Sequence, residues 1–169
     1  MLKESNNLIA EAVFYHLSAE SVKASATANQ SRLQIKKLLS SLDITEDSYN
    51  IADGSGLSLY NYTTAYNLVR LLRFADTRKA IFEPFTAALP IAGVDGTLKK
   101  RMLQGEAYGR VRAKTGTLTG VSSLAGYVTA ANRHRLCFAI INQGVACHSS
   151  PRAFQDELCQ LLVSYNGRE

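Results

Sequence analysis

Residues 111–120 read VRAKTGTLTG. The run Lys114-Thr115-Gly116-Thr117 combines properties suited to gripping an extended peptide. The Lys114 ammonium supplies a positive field for a carboxylate. The Thr115 and Thr117 hydroxyls can hydrogen-bond the same group. Gly116 has no side chain, so another backbone can come close. On a strand at a sheet edge, the free amides could pair with that peptide, and one could serve as an oxyanion donor. The plain alternative is a solvated lysine at a strand end. If Lys114 does chemistry, a nucleophile must be found for it.

A second candidate lies far upstream, at Ser5-Asn6-Asn7. Residues two apart do not share a helix face. Ser5 and Asn7 can address one site only from a loop or a helix start, and an apolar helical stripe begins just after them. The plain alternative is an N-cap, at Ser5 or Asn6. Ser-x-x-Lys, Ser-x-Asn and Lys-Thr-Gly together form the active-site set of penicillin-binding proteins and serine β-lactamases. Two of the three stand here, in that order.

The elements that must position these residues follow from periodicity. Leu8, Ile9, Ala12, Val13 and Leu17 recur at helical spacing. Leu33, Leu38 and Leu39 predict a second helix, and IADGSGLS after it is turn chemistry. TTAYNLVRLLRFA opens on a threonine cap candidate and predicts a third helix. RKAIFEPFTAALP predicts a shorter one, disturbed in its first half by Pro84. In the last third the period changes. GRVRAKTG alternates, and SSLAGYVTAA and RLCFAIINQG are apolar runs flanking a hairpin loop at ANRH. SPRAFQDELCQLLVSY closes as an amphipathic helix with Pro151 in its first turn. Helices, then about three antiparallel strands, then a packing helix make an α+β chain.

Composition narrows the function classes. The 169 residues fit one domain, and a compact domain of this size buries roughly 68–70% of its unfolded surface. Hydrophobic residues make up 46% and charged residues 20%, ordinary for a globular protein. The net charge of +5 comes from scattered basic residues without aromatic interleaving. That pattern argues against a nucleic-acid partner and suits an anionic ligand such as a carboxylate. No apolar run approaches the ~18 residues of a membrane span, and MLKESNNLIA has no apolar leader core. Cys137, Cys147 and Cys159 form no Cys-x-x-Cys, so no metal site or cofactor is expected. Cys137 reads as a small core residue, and a Cys147–Cys159 bridge stays open.

Four blocks carry a family resemblance: ESNNLIAEAVF, ADGSGLSLYN, LPIAGVDGTLKKRM and VRAKTGTLTGVSSLAGYV. Together, and in this order, they resemble the C-terminal part of the D-alanyl-D-alanine carboxypeptidase/endopeptidases, the class C low-molecular-mass penicillin-binding type (serine peptidase family S13). The resemblance covers nearly the whole of residues 1–169. It implies part of a serine β-lactamase/penicillin-binding transpeptidase-like fold. It implies a peptidoglycan stem peptide ending in D-Ala-D-Ala as substrate, and β-lactams as acylating ligands. Ser5 and Asn7 match its Ser-x-Asn pair, the serine relaying a proton toward the leaving amine and the asparagine contacting substrate backbone. Lys114, Thr115 and Gly116 match its strand motif. Thr117 would bind the terminal carboxylate and place its N–H in the oxyanion hole. Asp53–Gly56 would support the site from a tight turn rather than take part in catalysis. An exported protein of the periplasm or cell envelope is implied, with no signal peptide in this chain.

The pattern breaks at the nucleophile. No serine in the chain has lysine three positions later; Thr97-Leu98-Lys99-Lys100 is the near match, in a block where the family does not place its nucleophile. The family's Ser-x-x-Lys precedes Ser-x-Asn, so it is expected upstream of Met1. The chain therefore reads as a fragment, inactive alone, with one sheet face and one edge exposed. Two rivals stay open. One is a nucleophile-less module that binds peptidoglycan peptides or a protein partner. The other is a different hydrolase using Ser55 with His16, His134 or His148 as base. A nucleophile elbow, however, needs glycine where Asp53 stands.

Overall fold

The computed structural model describes residues 1–19, 26–147 and 149–167. His148 lies outside them. The elements run α1 (Asn7–Ala19), α2 (Ala28–Ser40), α3 (Ala65–Asp76), α4 (Lys79–Ala88), β1 (Val111–Leu118), β2 (Val121–Thr129), β3 (Arg135–Gln143) and α5 (Ser149–Ser164). The α+β order expected from periodicity is the order observed. The chain divides into two compact units. One holds Met1 and Asn6–Asn67, the other Leu2–Ser5 and Leu68–Glu169.

In the first unit, α1 starts beneath the Asn6 side chain, whose Oδ1 accepts the Ile9 N–H at 2.9 Å. Asn6, not Ser5, is the N-cap. The apolar stripe predicts the helix correctly, but its residues face outward: Leu8 is 80% exposed, and Ile9, Val13 and Leu17 are exposed as well. The buried residues of α1 are Phe14 and Ser18. Phe14 lies on the side packed against the 53–56 loop, because a Cβ on Gly54 would overlap Phe14. Glu11 accepts the Gly54 and Ser55 N–H groups at 2.8 and 2.9 Å. Thr27 caps α2 through the Gln30 N–H. From α2, Arg32 donates to the carbonyls of Ile51 and Ala52 at 2.8 and 2.7 Å, tying helix to loop. Thr64 caps α3 through the Asn67 N–H at 3.1 Å.

The second unit is built on a sheet ordered β1-β2-β3, both pairs antiparallel. Alternation sends its side chains to two faces. Val111, Ala113, Leu124, Val128 and Phe138 pack with Cys159 and Val163 of α5 and with Leu98 and Met102. Tyr127, Ala125 and Cys137 pack on the other face with Leu72, Leu89, Phe82 and Phe85. The result is helix, sheet, helix in three layers, so the sheet face expected to lie exposed is covered, because α3 and α4 supply Leu72, Phe82 and Phe85 against it. The Tyr127 hydroxyl donates to the Leu72 carbonyl at 2.7 Å, and its ring meets Phe82 edge to face at 5.1 Å. The expected disturbance at Pro84 does not occur, since α4 runs unbroken through it. Proline withholds one N–H, and its fixed φ is itself helical. Pro151 sits in the first turn of α5. The three cysteines are free thiols, so the Cys147–Cys159 bridge is not formed. Cys159 is buried, Cys147 is exposed, and Cys137 is half-buried.

Candidate active site at the β1 edge

In an antiparallel ladder, alternate residues turn both backbone groups toward or away from the partner strand. On β1 the outward residues are identified by their bonds. Val111 O accepts from Ala92 N at 3.0 Å, and Ala113 N donates to Pro90 O at 3.1 Å. Residues 90–92 therefore cover the first half of this edge, with an Ile91–Arg112 bridge at the centre. Continuing the alternation, Thr115 and Thr117 direct their N–H and C=O groups toward the free edge. That is the orientation an added peptide strand or an oxyanion donor requires. Thr117 is exposed. Gly116 has a role within the sheet too, because a Cβ there would overlap Ser123 Oγ on β2.

Lys114 is half-buried. Its Nζ donates to Ser5 Oγ at 2.7 Å and to Thr115 O at 2.5 Å. Burial holds its pKa below the ordinary lysine value of 10.5, because removing water disfavours the ammonium. An ammonium bridging a serine hydroxyl and a strand carbonyl can pass a proton through that hydroxyl and attract an anion at the same point. Ser5 and Lys114, the polar centres of the two motifs, are thus in direct contact within one unit. Thr115 directs its hydroxyl to Thr97 Oγ1 at 2.9 Å. Asn7 opens α1 in the other unit and is exposed.

The residues that hold Ser5 were not singled out as site residues from the sequence. Lys3 pairs with Asp95, and Thr97 N donates to Lys3 O at 3.0 Å. Their signal lay in the LPIAGVDGTLKKRM block, where Asp95-Gly96-Thr97 stood as part of a pattern without a role. The Asp53–Gly56 turn is organised by one carboxylate. Asp53 accepts from Gly56 N at 2.6 Å, Ser58 N at 2.8 Å, Ser55 Oγ at 3.0 Å and Asn61 Nδ2 at 3.2 Å. Burial alone would push this carboxyl up, but the four donors outweigh it and hold the pKa below 3.8. Ser55 Oγ also accepts from Leu57 N at 3.2 Å. It is a turn-stabilising hydroxyl, not the tip of a strand-to-helix elbow. Among the described residues no group of three His, Cys, Asp or Glu could hold a metal ion. No described helix is long and apolar enough to cross a membrane.

The sequence model of the D-Ala-D-Ala carboxypeptidase 3 (S13) family matches residues 1–165. A D-alanyl-D-alanine carboxypeptidase of Actinomadura sp. (strain R39) is 37% identical, over 99% of this chain and 31% of its own length. The crystal structure of penicillin binding protein 4 from Haemophilus influenzae superposes with a TM-score of 0.87 at 29% identity. The match covers 98% of this chain and 38% of that one. TLA-1, an extended-spectrum β-lactamase, shares the fold at a TM-score of 0.72 and 17% identity, over 97% of this chain and 60% of its own. The chain spans about a third of the length of the carboxypeptidase relative and the penicillin binding protein.

Proposed function

The chain belongs to the D-Ala-D-Ala carboxypeptidase 3 (S13) family, and on that premise we propose that it is the C-terminal portion of a transpeptidase-like domain. The complete protein would be a serine-type D-Ala-D-Ala carboxypeptidase/endopeptidase of the periplasm or cell envelope. It would act on peptidoglycan stem peptides and be acylated by β-lactams. The observation that carries the reading is the 2.7 Å bond from Lys114 Nζ to Ser5 Oγ. It joins two motifs more than a hundred residues apart in sequence, in the one pairing a proton relay needs.

The roles follow from the chemistry. The stem peptide lies along the free half of β1, its terminal carboxylate meeting Lys114, Thr115 and Thr117, its backbone passing Gly116. A serine hydroxyl attacks the penultimate D-Ala carbonyl, and the oxyanion forms against the Thr117 N–H. The serine's proton passes through Ser5 and Lys114 to the departing amine, free D-Ala leaves, and water hydrolyses the acyl-enzyme. Asn7 orients the substrate backbone. The attacking serine, paired with a lysine three positions on, lies outside these 169 residues, so the chain alone forms no acyl-enzyme.

Fluorescent penicillin tests this. A polypeptide joining these 169 residues to a preceding Ser-x-x-Lys segment should label covalently and survive denaturing electrophoresis, while the 169 residues alone stay unlabelled. Labelling of the 169 residues alone would place the nucleophile within them. Absence of labelling in the longer protein would favour the noncovalent peptide-binding module.

A further inference from the structure

Ser5 belongs to a turn, with neither helix nor strand bonds to fix it, and it carries φ +52°. A non-glycine residue in this region is strained and persists only where its surroundings hold it. What holds it is a ring of contacts within the second unit. Lys3, two residues before Ser5, forms an ion pair with Asp95 Oδ2. The other oxygen, Asp95 Oδ1, accepts the Ile91 N–H at 2.8 Å. Thr97 N donates to Lys3 O at 3.0 Å. Gly96, at φ +53°, lies so close to Lys3 that a Cβ would overlap the Lys3 carbonyl oxygen. Residues 90–92 are bonded to Val111 and Ala113, directly before Lys114. Thr97 accepts the Thr115 hydroxyl, directly after it. The ring closes where Lys114 donates to Ser5.

We propose that Asp95 is a positioning residue for the site: with Gly96 and Thr97 it clamps the Lys3–Ser5 turn to β1 so that Ser5 Oγ meets Lys114 Nζ. Asp95 is the node because its two oxygens serve different partners, one belonging to its own turn and one to the turn that carries Ser5. Its carboxylate is in the charged form such a clamp needs. Burial pushes its pKa up, but the Lys3 ammonium, the Ile91 N–H and the nearby Arg112 charge outweigh that and hold it below 3.8. The catalytic meaning of the clamp rests on the carboxypeptidase reading; the clamp itself does not.

The test uses the full 169-residue chain. Asp95→Asn keeps an acceptor for Ile91 and removes the charge facing Lys3. Lys3→Met removes the same ion pair from the other side and leaves the Asp95–Ile91 bond intact, so it decides the matter if the first variant does not fold. In each, amide exchange at Thr97 should quicken about tenfold or more, the factor that ~1.4 kcal/mol of lost bonding represents. The Lys114 side chain, followed by 13C NMR, should titrate closer to an ordinary lysine as water reaches it. The double variant should add little to either single one, because both remove one interaction. A lowered melting temperature with the Lys114 titration unmoved would reduce Asp95 to a fold residue and overturn the proposal, as would no change in either readout. None of these readings depends on acylation, so a failed penicillin labelling and a failed clamp are separable results.

Discussion

Lys114 keeps an ammonium partly withdrawn from water against two acceptors, Ser5 Oγ and Thr115 O, that carry no formal charge. Such a site destabilises the charged side chain in exchange for a field at the place where a carboxylate would dock. The pH dependence has a definite sign. A lysine whose folded pKa lies below 10.5 binds fewer protons folded than unfolded between those two values, so stability rises with pH across that window. Lys114→Met should remove that rise and leave the fold at neutral pH as stable as before or more so, by urea denaturation. In a protein that carries the acylating serine, the same substitution should slow penicillin acylation on the order of a hundredfold, as losing one preorganised electrostatic donor does. A large loss of stability at neutral pH would mean that Lys114 serves the fold. The motif residues were legible here because their chemistry is local and named by type. Lys3 and Asp95 were not, because an ion pair between positions 92 residues apart leaves no periodic trace in the sequence.

The sheet shows why some elements could be read and others only half read. Alternation along GRVRAKTG and the two apolar runs placed all three strands, because both faces of this sheet are covered and each face selects its own side chains. The stripe of α1 marked a helix correctly but not what it packs against, since periodicity gives a face and no partner. Gly126 is a feature that alternation could not reveal. A Cβ at this β2 position would overlap Arg112 O and Ala113 Cα on β1. The obstacle is backbone in the strand that carries Lys114, so the strands must separate to relieve it. Gly126→Ala should cost about 2–4 kcal/mol in urea unfolding, beyond ordinary overpacking because a ladder is disturbed as well. It should also speed amide exchange at Ala113 and Lys114. A cost under ~1 kcal/mol with the exchange unchanged would show that β1 and β2 yield without separating.

On the scale of the whole chain, charge and burial set the alkaline limit. The sequence isoelectric point is about 9.2, so the net positive charge that keeps molecules apart fades where buried acids begin to matter. Cys159 of α5 is fully buried in the core. Burial pushes its thiol from 9.0 up to about 12. The unfolded thiol ionises from its ordinary value upward while the folded one stays protonated. Folding therefore binds the extra proton, and stability falls as pH rises through this interval, by about 1.4 kcal/mol per unit once the unfolded thiol is ionised. Burial raises Tyr127 in the same sense, starting from 10.0, and half-buried Cys137 is raised too. Lys114 acts in the opposite direction over part of the range but is only half-buried. The net expectation is unfolding free energy that declines above about pH 9, accompanied by association as the charge vanishes. Cys159→Ala separates the causes. It costs some core packing at every pH yet should flatten the decline between pH 9 and 10.5, because the thiol that drives it is gone, while association near the isoelectric point persists. An alkaline limb with the same slope in Cys159→Ala and the parent chain, by urea denaturation at fixed ionic strength, would assign the decline to Tyr127 and the other raised groups instead.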